Sequence, residues 1–460
     1  MICAAVLLFH AGDYDAIPAR LHRARELLRS RSVNGEHRPV EVMVLTLQLA
    51  VDRAVGDMPA VAAGGTELLA LLAEGGAAEG APAAQHRAIA LNNRGVAQLW
   101  TGRTEAAARD LWAAAGASRA AGLELAEINA AGHLALLQVM CGSVHEAAHL
   151  AGRARDLADR GGWATTLQAV AAYLALALVH LDRHDLVAAE EALHAGAQAH
   201  RNDPEAAQRL VLSGVQARLA LAHGDPALAR HHLRTAREDR NPRTRVPTLD
   251  GWLSLLDDET ELAAGHPERV AHRDPGTAGD LPRRVVQARA ALALRDLRLA
   301  ERLLAPEPTA LPHTVATVEA GILNALLADA HGQASRAVDF LGGAVSLAER
   351  EGIRRPFRHQ AGGRLEELLH LCDRTAFTDQ LFADIRAARR SPHDTGAGGL
   401  SDREADVLRF LPTNLSAGQI AVELGISVNT VKAHLRSIYR KLAASRRGDA
   451  VVKARDHGLL

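Results

Sequence analysis

The segment GRTEAAARDLWAA, residues 102–114, decides how the longer part of this chain is read. Gly102 stands at a turn, Ala107 follows five residues later, Leu111 four beyond that, and Ala114 three further. The same spacing recurs in Gly142, Ala147, Ala151 and Ala154, and in Gly224, Ala229, Leu233 and Ala236. Gly332, Ala337, Leu341 and Ala344 repeat it again, and weaker copies start at Gly12, Gly56, His184 and Gly265. Glycine ends one helix and turns the chain, and the small residues let a second helix pack closely against the first. A two-helix unit cannot bury its apolar face alone, so neighbouring units must stack. The expected fold is all-α, with a stacked helical-hairpin array over residues 1–390.

The pattern resembles tetratricopeptide repeats, although its period is nearer 40 residues than the roughly 34 of that family. Between Arg240 and Pro312 it is interrupted by Pro- and Gly-rich stretches such as residues 273–282. Such an array presents a concave surface for a small ligand or a protein partner, and no catalysis is expected of it. Composition agrees with helices. Hydrophobic residues make up 48% but aromatics only 3%, so the core must be built mainly from Ala, Leu and Val, and Ala leads the helix scale.

Cys3, Cys141 and Cys372 are few, odd in number and far apart, which points to a reducing cytosol without a disulfide framework. The apolar opening Met1–Phe9 is short and lacks a basic start, so no signal peptide is expected. No stretch approaches the roughly 20 apolar residues of a membrane span. A cytoplasmic location without membrane attachment is the expectation.

One motif inside the array invites a metal. His145, Glu146 and His149 match H-E-x-x-H, in which two His at i and i+4 hold zinc and Glu acts as general base. Gly152 extends the match, but Arg155 stands where a third histidine is needed. The repeat register explains the segment without metal, because Ala147 occupies the packing position of Ala107. No metal or cofactor is expected.

The last segment differs in charge. From Leu400 onward there are ten Lys/Arg and six Asp/Glu, net +4, whereas the 43 basic and 48 acidic residues before it give −5. A basic tail domain suits a polyanion partner. Residues 391–399 read as a linker. Ser401 with Glu404 and Ser416 with Gln419 are capping boxes, and Ser427 opens a third helical pattern running to about Leu442. Gly425 lies at the turn between the second and third helices, four residues after the small Ala421. Val431, Leu435, Ile438 and Leu442 give the third helix one apolar stripe. Its other face carries Asn429, Thr430, Lys432, Arg436, Arg440 and Lys441, as a recognition helix in the major groove requires.

Leu400 to Glu404, Gln419 to Ala421, Thr430 to Arg436 and Ile438 to Leu442, with Arg447, Ala450 and Val451, resemble the LuxR-type helix-turn-helix family. The resemblance implies a four-helix DNA-binding domain over residues 400–460 of a transcriptional regulator, an activator by family habit. It implies base contacts from Lys432, Ala433 and Arg436. It makes Thr430, Arg440, Lys441 and Arg447 candidates for DNA-backbone or scaffold contacts. Double-stranded promoter DNA and RNA polymerase are the implied partners, with two chains paired on DNA through the last helix, including Ala450, Val451 and Ala454. Ala417-Gly418, Asn414, Ala443-Ala444 and Arg446 depart from the family pattern, which bears on affinity more than fold.

Residues 347–352, Arg355, Phe357, Leu365 and Leu368 resemble the segment joining array to DNA-binding domain in MalT-like regulators. Those proteins carry an upstream nucleoside-triphosphatase module. No G-x-x-x-x-G-K-[ST] occurs here and no lysine precedes Lys432, so ATP switching is not assigned to these residues. A shortened relative and the end of a longer protein both fit.

Overall fold

The computed structural model describes residues 17–31, 38–74, 81–202, 205–238, 244, 246–273, 280–305, 313–359, 363–389, 402–413, 415–424, 427–442, 444 and 446–456. The weak repeat at Gly12, the linker at 391–399, the cap Ser401, and Leu400, Asn414, Gly425, Ile426 and Ala443 lie outside the described residues. The chain divides into two compact units, Met1–Pro356 and Phe357–Leu460. Among the described residues every regular element is a helix. None of the described helices is long and apolar enough to cross a membrane.

In the first unit α1 (Ile17–Arg31) precedes eight described hairpins. These are α2–α3 (Arg38–Val55, Met58–Glu74), α4–α5 (Ala81–Trp100, Thr104–Ala120), α6–α7 (Glu124–Cys141, Val144–Gly161) and α8–α9 (Leu167–Asp182, Leu186–Asn202). Then come α10–α11 (Ala206–Ala222, Pro226–Glu238), α12–α13 (Pro247–Ala263, Glu268–Ala271), α14–α15 (Leu281–Ala293, Leu297–Leu304) and α16–α17 (Thr314–Ala330, Ala334–Glu351). The Ala and Leu positions of the four strong repeats are all buried, from Ala107, Leu111 and Ala114 to Ala337, Leu341 and Ala344.

The turns follow one plan. Gly56, Gly102, Gly224, Gly265 and Gly332 have positive φ, and so do two residues that carry a side chain, His184 at 55° and Arg295 at 60°. At four of these turns the next residue is Asp. Asp57, Asp185, Asp225 and Asp296 each accept a hydrogen bond from the backbone N–H three residues on, capping the second helix. Gly142 is different: its φ is −145°, and Ser143 provides the cap.

First helices approach one another closely. A Cβ on Gly132 of α6 would stand 2.8 Å from the backbone nitrogen of Ala172 in α8, and within one hairpin a Cβ on Gly321 of α16 would stand 2.8 Å from the Ala344 side chain of α17. The array also winds back on itself, so that distant repeats meet. Arg53 Nε donates to Glu205 at 3.1 Å, Thr248 Oγ1 to the Leu99 carbonyl at 2.8 Å, and the Arg354 N–H to the Asp182 carbonyl at 2.9 Å. Glu351, ending α17, accepts from Ser143 Oγ at 2.9 Å and from the His145 N–H at 2.8 Å, at the start of α7.

The second unit begins at Phe357, within α18 (Arg355–His359), and contains α19 (Gly363–Leu369), α20 (Ala376–Arg389) and a four-helix group, α21 to α24.

Glycine substitutions in the array should change stability in opposite directions. Gly132→Ala pushes a methyl into backbone and should cost about 1–3 kcal/mol. Gly152→Ala, in the middle of α7 with nothing within 4 Å, should stabilise by about 0.5–1 kcal/mol. Thermal melting of both variants checks this pair. Acid should act through His133, which is fully buried with Nδ1 2.9 Å from the Asn129 carbonyl. Burial, reinforced by Arg53, lowers its pKa to about 3. Its neutral form belongs to the fold, so its contribution is complete above the unfolded value near 6.5 and is lost as pH falls toward 3. Urea melts should show about 2 kcal/mol less stability at pH 5 than at pH 7 from this group, and His133→Phe should remove that difference.

Candidate nucleic-acid interface

The group comprises α21 (Asp402–Arg409), α22 (Ala417–Glu423), α23 (Val428–Lys441) and α24 (Arg447–Asp456). Ser416 and Gln419 form the expected reciprocal capping box at the start of α22. Ser427 caps α23 by accepting from the Thr430 N–H at 3.1 Å, and the Ser427 and Thr430 hydroxyls lie 2.7 Å apart. Thr430 is exposed, with its hydroxyl engaged in this cap.

One face of α23 holds the helix down. Val431 and Ile438 are fully buried and Leu442 nearly so, with Leu435 half-buried against the same core. Val407, Leu408 and Leu411 from the α21 side, and Ile420 and Ala421 of α22, complete that core. Ala421 is small where α22 and α23 meet. At about 100° per residue, Lys432, Ala433, Arg436 and Arg440 fall within one arc of about 100°, turned away from this stripe. All four are exposed. Neither Lys432 nor Arg436 has an acidic partner among the described residues, whereas Arg440 donates to Ser437 Oγ at 3.3 Å. The Asn429 side chain lies outside the described ones.

The remaining two cations are engaged inside the domain. Lys441 Nζ donates to Glu404 Oε2 at 2.6 Å, tying α23 to α21 through a carboxylate only 6% exposed. Arg447 donates to four carbonyls: Leu411 at 3.0 Å, Leu415 at 2.6 Å, Phe410 at 2.9 Å and Thr413 at 2.8 Å. These carbonyls follow α21 and lead into α22, so Arg447 fixes the connection that positions the first turn of the motif. Both side chains thus make scaffold contacts within the domain, which sequence reasoning could not show, because the carbonyl acceptors of a loop leave no mark in residue identity.

The last helix corrects one expectation. Ala450 and Ala454 are fully buried in the core of their own domain, with Val451 half-buried beside them, because α24 closes that core beneath α23. Gly448, Val452 and Arg455 are the exposed positions instead, Val452 at 58%.

Elsewhere, His145 and His149 of the zinc-like motif are exposed on α7, while Ala147 is fully buried in the packing seam between them. Among the described residues no three His, Cys, Asp or Glu side chains are grouped as metal ligands.

Comparison with known proteins falls on the same segment. The family described as "Bacterial regulatory proteins, luxR family" matches residues 399–454. The nitrate/nitrite response regulator protein homolog of Haemophilus influenzae is 46% identical over 63 residues, 14% of this chain and 30% of that protein. The transcriptional regulatory protein YdfI of Bacillus subtilis is 43% identical over 61 residues, 13% of this chain and 29% of that protein. The HTH-type transcriptional regulator MalT of Yersinia enterocolitica is 32% identical over 99 residues, 21% of this chain and 11% of that protein. The chain thus spans between 11% and 30% of the length of these relatives. The capped helices, their shared core and these matches together make the C-terminal segment a LuxR-family helix-turn-helix domain.

Proposed function

We propose that this chain is a sequence-specific, DNA-binding transcriptional regulator that acts in the cytoplasm. The exposed, outward arc of Lys432, Ala433, Arg436 and Arg440 on a helix whose opposite side is locked into a core carries this reading. A helix held rigidly from behind places base-reading side chains at defined depth in the major groove, and cations around them meet phosphates. Lys432, Ala433 and Arg436 are the base-facing group, and Thr430 and Arg440 lie toward the phosphates. Residues 400–460 bind promoter DNA, and the array over residues 1–390 senses a small ligand or protein partner. Activation through RNA polymerase is the direction proposed. Two chains pair on a two-half-site operator, and α24 offers Val452 for that contact in place of Ala450 and Ala454.

Selection of genomic fragments by the purified chain supplies the probe for the test. Lys432→Ala and Arg436→Ala should each weaken binding to the selected fragment by about 1–3 kcal/mol and relax preference at one base position. Uniform, salt-sensitive binding of every fragment by the native chain would defeat the sequence-specific reading. The engaged and the free cations should separate in a salt titration followed by fluorescence anisotropy. Arg440→Ala should reduce the dependence of log affinity on log salt by about one without shifting the melting temperature. Arg447→Ala should destabilise the domain by about 2–4 kcal/mol, because four carbonyls lose a charged donor at once. An unchanged melt for Arg447→Ala together with a lower salt slope would return that residue to the phosphate-contacting set.

A further inference from the structure

Val428 opens α23, and it is the one large apolar side chain of that helix that the domain's core does not take in. Val431 and Ile438 are buried in the core, and Leu435 and Tyr439 pack against it. Val428 belongs to neither group and is 40% exposed. Its position is fixed all the same. Ser427, the residue before it, caps the helix by accepting from the Thr430 N–H at 3.1 Å. The Val431 N–H donates to the Ser427 carbonyl, also at 3.1 Å, so the first turn is closed on both sides of Val428. A valine in a helix keeps essentially one side-chain rotamer. Its two methyl groups are therefore held in one direction without further ordering cost.

That direction belongs to the exposed side of α23. At about 100° per residue, Val428 lies about 40° round the helix from Lys432, and Arg436 lies about 40° on the other side of Lys432. Val428, Lys432, Arg436 and Arg440 thus form one row at intervals of four residues, and all four are exposed. Val428 stands where this row meets the margin of the buried stripe. The first turn carries no acidic residue, so nothing in it repels a phosphate backbone. The N-terminal part of a recognition helix is also the part that meets base edges.

The chemistry of the groove decides what a rigid apolar side chain can read there. Base edges in the major groove present donors and acceptors, together with one apolar group, the 5-methyl of thymine. Against a donor or acceptor a valine removes water and returns no hydrogen bond, which is unfavourable. Against the methyl it buries apolar surface on both partners. A single exposed valine elsewhere needs no explanation, and Val422 on α22, 81% exposed, is such a case. Val428 differs in sharing its row with three cations. Ala433, the other apolar residue of the arc, lies about 140° round the helix from Val428, so the two face different bases.

We infer that Val428 is a further base-reading residue, and that it selects a thymine through the 5-methyl group. The inference rests on the reading of α23 as the helix that enters the major groove. Val428 precedes Lys432 by about 6 Å along the helix axis, nearly two base steps of about 3.4 Å. The thymine therefore lies beyond the base met by Lys432, on the side away from the base met by Arg436.

Fluorescence anisotropy of the full chain on the selected DNA fragment tests this, with each thymine replaced in turn by deoxyuridine, which lacks only the methyl. At one thymine the replacement should weaken binding by the native chain by about threefold to tenfold. Val428→Ala should bind the thymine and uracil forms alike, with an unchanged melting temperature, since the side chain is outside the core and alanine is the better helix former. Val422→Ala, which removes an exposed valine from the neighbouring helix, should keep the full difference. The inference is overturned if no thymine is sensitive to its methyl, or if the sensitive one stays so in Val428→Ala. Base preference that relaxes in Lys432→Ala and Arg436→Ala without any sensitive thymine sinks this inference alone. Uniform binding of every fragment by the native chain sinks the sequence-specific reading and this inference together.

Discussion

Close approach of the first helices is the constraint on which the rest of the array depends. At Gly132 the neighbouring backbone stands where a side chain would begin, and within one hairpin Gly95 of α4 meets the Leu111 side chain of α5, 2.8 Å from the absent Cβ. Contact at that range needs glycine on one helix, and alanine at the buried repeat positions packs much of the remaining core of a chain with few aromatics. Repeats about 150 to 200 residues apart also come into hydrogen-bonding distance, from Arg53 with Glu205 to Ser143 with Glu351.

Charge in the wound interior follows from this geometry rather than causing it. Taking a guanidinium and a carboxylate out of water costs several kcal/mol each, and the pair recovers that only with good geometry. Arg355 and Asp182 have it, at 2.7 Å. Arg218 does not, reaching Glu259 only at 3.4 Å. A cluster kept for stability alone would be replaceable by apolar side chains of similar volume at little cost.

What was legible in the sequence was what neighbouring residues decide. The turns at Gly102, Gly224 and Gly332 were readable, and so were the fainter ones at Gly56, His184 and Gly265, all of which have positive φ. Arg295 escaped because it lies between Arg240 and Pro312, where Pro- and Gly-rich stretches interrupt the spacing, although the Asp that follows it repeats the pattern of His184-Asp185 and Gly56-Asp57. Aspartate caps the next helix at four of these seven turns, including both that lack glycine. In the C-terminal domain the caps at Ser416 and Ser427 and the inward stripe of α23 were likewise local and readable. The burial of Ala450 and Ala454 was not, since a helix of alternating small and polar residues does not announce which neighbour will cover it.

The same distinction explains why the exposed arc of α23 was visible from the start and the buried charge cluster of the array was not. Lys432, Ala433 and Arg436 sit on a single helix, so spacing alone groups them. Asp182, Arg218, Glu259, Glu319 and Arg355 come from five segments, and nothing between them in the chain hints that they meet. Each in isolation is an ordinary charged residue near the end or middle of a helix. Only the fold brings them together, and no single hairpin holds more than one of the five side chains, so no local spacing groups them.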